Sequence, residues 1–320
     1  YSDEITIGYQ GEFLDGDLVY GVRGIYRDLK KSIEDTNYGP VMRKWFAENG
    51  IDSDPGYAYI LNNPGTDLDI FYDTNGDGVA ERIVIPAEYI ALPDPKRKYG
   101  AIENTLKGNI GNDFHYNASY TWSHSWGNTE GLVRTDNGQA DPGWTTSYDY
   151  ADLMDHSSGN LPNDRRHSFK VNGYYNITEN LVLGFNARVT SGVPISRFSR
   201  HPEGIDSCAA SSVWSECNSR GYDHVSFYDA DGNPAPRGTF GETDWLKEFD
   251  LSLAYNISVA GNPLELKATA FNVFNFDTQT AVVQEHARDG ENGQEVNPNW
   301  GMTSSRLGAR YLRFEARYTF

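Results

Sequence analysis

Arg310-Tyr-Leu-Arg-Phe-Glu-Ala-Arg-Tyr-Thr-Phe320, the last eleven residues, alternates apolar and polar side chains without a break. Leu312, Phe314, Ala316, Tyr318 and Phe320 fall on one face, and Tyr311, Arg313, Glu315, Arg317 and Thr319 on the other. Successive side chains of a strand point to opposite sides, so the segment predicts a strand with one greasy and one wet face. A soluble sheet can use that pattern. A strand of this kind with an aromatic as its final residue points instead to the closing strand of a transmembrane β-barrel, whose outer face meets lipid.

The same alternation recurs in pairs of strands joined by very short turns. The first pair is Glu4 to Phe13 and Leu18 to about Lys31, turning at Asp15-Gly16-Asp17. The second is about Tyr99 to Ile110 and Phe114 to about Trp126, turning at Gly111-Asn112-Asp113. The third is about Arg166 to Ile177 and Leu181 to about Ser191, around Thr178-Glu179-Asn180. The fourth is about Gly241 to Val259 and Leu264 to about Thr280, around Gly261-Asn262-Pro263. With the final strand this gives about nine. Long polar stretches separate the pairs, about residues 36–98, 127–164, 192–240 and 281–306, and are expected to be structureless loops. Tight turns on one side and long loops on the other match bacterial barrels, with periplasmic turns and extracellular loops. The fold class expected is therefore all-β, a transmembrane antiparallel barrel.

Composition agrees. The chain is 38% hydrophobic with a mean hydropathy of −0.62, and no apolar run approaches the roughly 20 residues of a membrane helix. In a barrel only every second strand residue faces lipid, so average hydropathy stays low. The 21 Tyr, 15 Phe and 7 Trp suit interfacial girdles, with Trp122, Trp126 and Trp245 at the loop ends and Phe114, Tyr255, Tyr318 and Phe320 at the turn ends. A net charge of −18 argues against a nucleic-acid partner, which needs a basic surface. An odd strand count would leave backbone groups unpaired in hydrocarbon at several kcal/mol each. The expectation is that this chain is part of a larger barrel, and that its first residue, with no signal peptide before it, is not the native amino terminus.

Several stretches resemble the carboxyl-terminal barrel region of TonB-dependent outer-membrane receptors, more narrowly the Oar-like subgroup. They are Tyr1-Ser-Asp-Glu-Ile-Thr-Ile-Gly-Tyr9, Tyr26-Arg-Asp-Leu-Lys-Lys-Ser-Ile-Glu-Asp35, Leu161-Pro-Asn-Asp-Arg-Arg-His-Ser-Phe-Lys170, Ser191-Gly-Val-Pro194, Ala270-Phe-Asn-Val-Phe-Asn275 and the closing Arg310 to Phe320. The resemblance implies a barrel of twenty-two strands around an amino-terminal plug, with this chain supplying the last nine. It implies a transport protein and not an enzyme, in the outer membrane of a Gram-negative bacterium. The plug and the remaining strands would lie outside this chain, and partners would be the TonB complex acting through the plug, the β-barrel assembly machinery, and outer-membrane lipid and lipopolysaccharide. Phe314, Tyr318 and Phe320 resemble the assembly signal. A plugless pore or adhesive barrel is a second reading, and a soluble glycan-binding β-protein a third.

Candidate sites are few. Asp73-Thr-Asn75-Gly-Asp77-Gly-Val-Ala-Glu81 has oxygen ligands at alternate positions, as calcium loops do, though Val84 stands where an EF-hand needs a bidentate Glu. Calcium bound by Asp73, Asn75, Asp77 and Glu81 competes with a plain Asx-rich turn. Cys208 and Cys217 lie in one loop at a spacing that fits neither a redox nor a zinc motif, so a local disulfide is set against two free thiols. Trp144 and Trp214 are candidates for stacking on a ligand. Asp164, Arg165, Arg166 and His167 cluster without a nucleophilic Ser elbow, and read as a charge network in the outer rim or the lumen.

Overall fold

The computed structural model describes residues 1–141, 145–203, 224–290 and 293–320. Nine long strands form its frame: β1 (Ser2–Phe13), β2 (Leu18–Leu29), β3 (Arg97–Ile110), β4 (Phe114–Gly127), β5 (His167–Thr178), β6 (Leu181–Thr190), β7 (Leu246–Val259), β8 (Asn262–Phe271) and β9 (Tyr311–Tyr318). They pair antiparallel in sequence order, β1 through β9, as one sheet, with the two-residue strand Gly159–Asn160 added beside the end of β4. Antiparallel neighbours in sequence order need only hairpins, and four of the connections are tight. Three of these turns take left-handed backbone, at Gly16 (φ 96°), Gly111 (φ 62°) and Gly261 (φ 84°).

Register decides the two faces. Leu106, Ala118, Val171, Ala187 and Phe249 are successive cross-strand partners from β3 to β7. Phe185, Leu251, Ala270 and Leu312 continue the same face to β9. One residue over, Lys107, Asn117, Asn172, Asn186 and Asp250 align on the opposite face. That face carries ion pairs such as Arg23 with Glu103, Arg27 with Glu4, and Arg188 with Glu248. The apolar face has no protein layer upon it: Ile7 and Phe314 are each 76% exposed. A soluble sheet would bury such side chains at about 1.5–3 kcal/mol each. Here hydrocarbon must be the solvent.

Strand limits differ from the expected ones at a few ends. β7 begins at Leu246 rather than near Gly241, and β8 stops at Phe271 rather than Thr280. The stop has a local cause, since Asn272 takes a left-handed φ of 48°. Its side chain receives the Phe276 amide and donates to the carbonyls of Phe276 and Gly308, so the turn closes upon itself.

The larger correction concerns the loops, which are not structureless. Residues after β2 fold into helix α1 (Gly39–Glu48) and two small ladders, Glu34–Asn37 with Tyr59–Asn62 and Leu68–Tyr72 with Glu81–Ile85. Pro40 sits in the first turn of α1, where its missing N–H costs nothing. Met42 and Phe46, four apart on one helix face, are fully buried with Tyr38, Leu68, Ile85, Ile90 and Leu92. Tyr148 and Met154, from the segment after β4, enter the same core. Beyond β8, Gln279–Val282 pairs with Thr303–Arg306 and Ala287–Gly290 with Gly293–Val296. All these segments rise from one end of the sheet and form a folded cap.

Candidate functional site

The cap holds the only hydrophobic core cluster found among the described residues, and its polar groups are arranged around that core. A cleft of about 390 Å³ opens beside α1. Val41, Tyr89 and Leu92 supply apolar wall, Lys44 lies on one side, and Asp149 and Asp152, from the segment after β4, belong to the same lining. The Lys44 ammonium stands 5.4 Å from the centre of the Tyr89 ring. The Tyr89 hydroxyl donates to Glu48 at 2.9 Å, and desolvation together with that carboxylate pushes it up to about 12. The arrangement can enclose a small amphiphilic molecule carrying groups of both signs.

Behind the cleft lies a buried carboxyl. Glu34 is 2% exposed and receives only two long hydroxyl hydrogen bonds, from Ser32 (3.3 Å) and Thr129 (3.4 Å). Burial, reinforced by Asp35 and Asp149, raises its pKa to about 8. Nearby, the buried Tyr148 hydroxyl donates to Asn128 Oδ1 at 3.2 Å, and burial raises its pKa as well. Asn128 Oδ1 also accepts the Lys96 amide, and its Nδ2 donates to the Asp94 carbonyl. Three stretches of chain therefore meet at one polar node.

A second buried cluster ties the segments after β4 and β6 together. Asp136 lies between Arg134 (3.2 Å) and Arg237 (3.3 Å), all three side chains 1% exposed. Both guanidiniums stand on the Phe227 ring, at 4.9 and 4.7 Å from its centre. Arg134 further donates to Thr146 Oγ1 and the Val225 carbonyl. Burial lowers the Arg134 pKa, and burial and Asp136 raise that of Glu130. This is a structural staple rather than a reactive site.

The Asp164 to His167 cluster forms a polar network at the loop end of β5. Asp164, 3% exposed, accepts the Ser125 amide (2.7 Å) and Arg166 Nε (2.8 Å). Arg165 donates to Thr190 and the Ser191 carbonyl, while His167 stacks on Tyr120 and Trp245. Trp245 thereby joins Trp122 at the loop end of the apolar face.

The Asp73 to Glu81 stretch forms an Asx-rich turn at the tip of a ladder. Asp73 accepts the amides of Asn75, Gly76 and Gly78, and these bonds, that from Gly78 foremost, hold its carboxyl below the usual range. Asp77 accepts the Val79 amide, and Glu81 accepts the Thr74 amide and hydroxyl. Among the described residues no group of three or more His, Cys, Asp or Glu side chains is placed to hold a metal ion. Cys208, Cys217, Trp144 and Trp214 lie outside the described residues. Phe314, Tyr318 and Phe320 all lie on the apolar face or beyond its end, with Phe320 wholly exposed and Tyr318 hydrogen-bonded to Asn262.

Glu34, Lys44, Tyr89, Asp149 and Asp152 escaped sequence reading, because they gather only once two loops fold together. The one local signal was Pro40 followed by Met42 and Phe46, the opening of an amphipathic helix.

The profile of the outer membrane beta barrel domain matches residues 84–192. The TonB-dependent transporter Oar of Myxococcus xanthus is 26% identical over 356 residues, covering all of this chain and 28% of its own length. The chain thus spans little more than a quarter of that relative. Among solved structures, the siderophore receptor PiuA of Acinetobacter baumannii aligns with a TM-score of 0.48 at 12% identity, covering 98% of this chain and 28% of its own. The ferripyoverdine receptor of Pseudomonas aeruginosa aligns at 0.46 and 12%, covering 98% and 26%. By name these relatives are a transporter and receptors, and this chain, a nine-strand β wall with its cap, is similar in sequence to a TonB-dependent transporter and carries an outer membrane beta barrel domain.

Proposed function

We propose that the chain forms part of the wall and outer mouth of a receptor that imports a scarce ligand across the outer membrane. The observation that carries this is the combination of a nine-strand wall, apolar on one face, with a folded cap at one end that encloses a cleft. Neither outer edge of the sheet, along β1 or β9, is paired among the described residues. In hydrocarbon such edges need partners, which supports a larger barrel, of twenty-two strands on the family resemblance, with a plug and further strands outside this sequence. The cap faces the medium and the tight turns and carboxyl terminus the periplasm, as in bacterial barrels. The β-barrel assembly machinery inserts the wall, reading Phe314, Tyr318 and Phe320, and the TonB complex drives uptake through the plug.

The test is nutritional. Growth on an iron chelate, a cobalamin, a peptide and a glycan as limiting nutrient is compared in cells lacking the receptor and cells lacking TonB. The proposal expects one nutrient whose use is lost in both. Loss in neither, together with steady ion conductance of the purified receptor in a bilayer, would establish a plugless pore instead.

A further inference from the structure

Arg197, half-buried in the cap segment after β6, is a cation without an acceptor. Its guanidinium stands on two aromatic rings, with Cζ 4.2 Å from the centre of Phe240 and 4.7 Å from that of Trp300. Rings attract the charge but leave the N–H groups unspent. Among the described residues no carbonyl or carboxylate receives them, and Nε is enclosed without a partner. Other arginines of the segments after β6 and β8 are matched, Arg200 with Asp289, Arg237 with Asp136, Arg288 with Glu295 and Arg306 with Asp277. In a chain of net charge −18 carboxylates are in surplus, so an unmatched arginine is not short of acids to pair with.

Both rings are fixed. The Trp300 indole N–H donates to the Ser196 carbonyl at 3.3 Å and the Phe240 amide to the Ile195 carbonyl at 3.0 Å, which pins the rings to the two residues before Arg197. Trp300 carries a second group, His286, edge-on at 5.3 Å between ring centres. His286 Nδ1 accepts the Ala230 amide at 2.9 Å, which leaves the ring proton on Nε2. Among the described residues that Nε2–H has no acceptor. Burial first, and the Arg197 charge second, lower the His286 pKa, so the ring is neutral at pH 7 and the pair carries one positive charge. Of the acids whose charge reaches His286, Asp229 is spent on the amides of Asp231 and Asn233, and Asp231 is exposed. We propose that Arg197 and His286 form a carboxylate-binding site in the cap, the two Nη groups gripping both oxygens of a solute's carboxylate and the His286 Nε2–H donating to one of them. One positive charge matches a monoanion. The assignment does not need import, since binding is read on the purified receptor.

The whole receptor in detergent is titrated with acetate, whose methyl resonance broadens while the ion is held, and separately with inorganic phosphate as competitor. Saturable broadening at millimolar acetate is expected. Arg197→Gln should weaken binding at least tenfold, and Arg197→Lys, which keeps the charge but loses the planar fork, about fivefold. His286→Asn, which keeps an acceptor for the Ala230 amide but withdraws the Nε2–H, should weaken it about fivefold. Arg288→Gln, which breaks only the pair with Glu295, should change nothing. Unchanged limited-proteolysis patterns show that the cap of each variant is folded, and the wild-type titrations decide the question even where a variant fails to fold. Broadening that does not saturate in wild type, wild-type affinity in a folded Arg197→Gln variant, equal loss in Arg288→Gln, or phosphate held more tightly than acetate would each overturn the assignment.

Discussion

Replacing Glu34 by Gln should remove a pH dependence built into the cap. Folding moves this carboxyl from 4.5 to about 8, chiefly because burial disfavours the charge and only two long hydroxyl bonds offset it. The folded cap therefore holds a proton that the opened cap releases. Between the two values stability falls as pH rises: the contribution is complete below 4.5 and gone once pH passes about 8. The slope is about 1.4 kcal/mol per pH unit, so the whole interval amounts to about 5 kcal/mol as an upper bound. Glutamine keeps the shape and the neutral state, and should make the cap insensitive over the same range. The assay is hydrogen exchange of the core amides of residues 38–92 in the intact receptor from pH 5 to 9, corrected for intrinsic rates. Wild type should lose protection progressively while the variant holds it, the two converging near pH 5. Parallel curves across the range would refute the reasoning, since they would mean that water or an unseen cation already compensates the carboxylate.

Phe46→Ala should open the cap core at a cost of about 3–5 kcal/mol, seen as lost exchange protection in α1 while barrel mobility on unheated gels stays native. Asp136→Ala leaves two buried guanidiniums facing each other on Phe227 and should destabilise the cap by about 3–5 kcal/mol, measured as faster proteolysis of the segments after β4 and β6. Calcium at millimolar concentration should give no heat in calorimetry, because Asp73 spends its oxygens on three amides. Deleting Phe320 should lower the amount of assembled receptor far more than the ligand affinity of the receptor that does insert, as quantitative blotting and binding to outer membranes would show.

The wall was legible because its code is short-ranged and repeated. Phe114, Tyr116, Ala118, Tyr120 and Trp122 alternate along one strand, and lipid needs no partner residue to be specified. The β8 overrun shows the limit of that code. Residues beyond Phe271 keep strand-like composition, and only the bonds from Asn272 to Phe276 and Gly308 reveal that the chain turns. The cap was illegible for the opposite reason. Its ladders of four or five residues are too short to show a period, and its core is written across distant segments, Phe46 sharing one cluster with Tyr148 and Arg134 sharing Asp136 with Arg237.

That contrast separates two stabilities within one chain. The wall buries no layer of its own and is held by hydrogen-bond ladders and by the membrane, whereas the cap carries a protein-like core and buried charges. Mutations at Glu34, Phe46 or Asp136 act on the cap without touching a wall hydrogen bond, and loss of Phe320, wholly exposed at the end of β9, leaves the cap core untouched. On the proposed function, a cap that loosens while its frame stays rigid would admit and release a ligand at the mouth, and the buried Glu34 would make that loosening depend on pH.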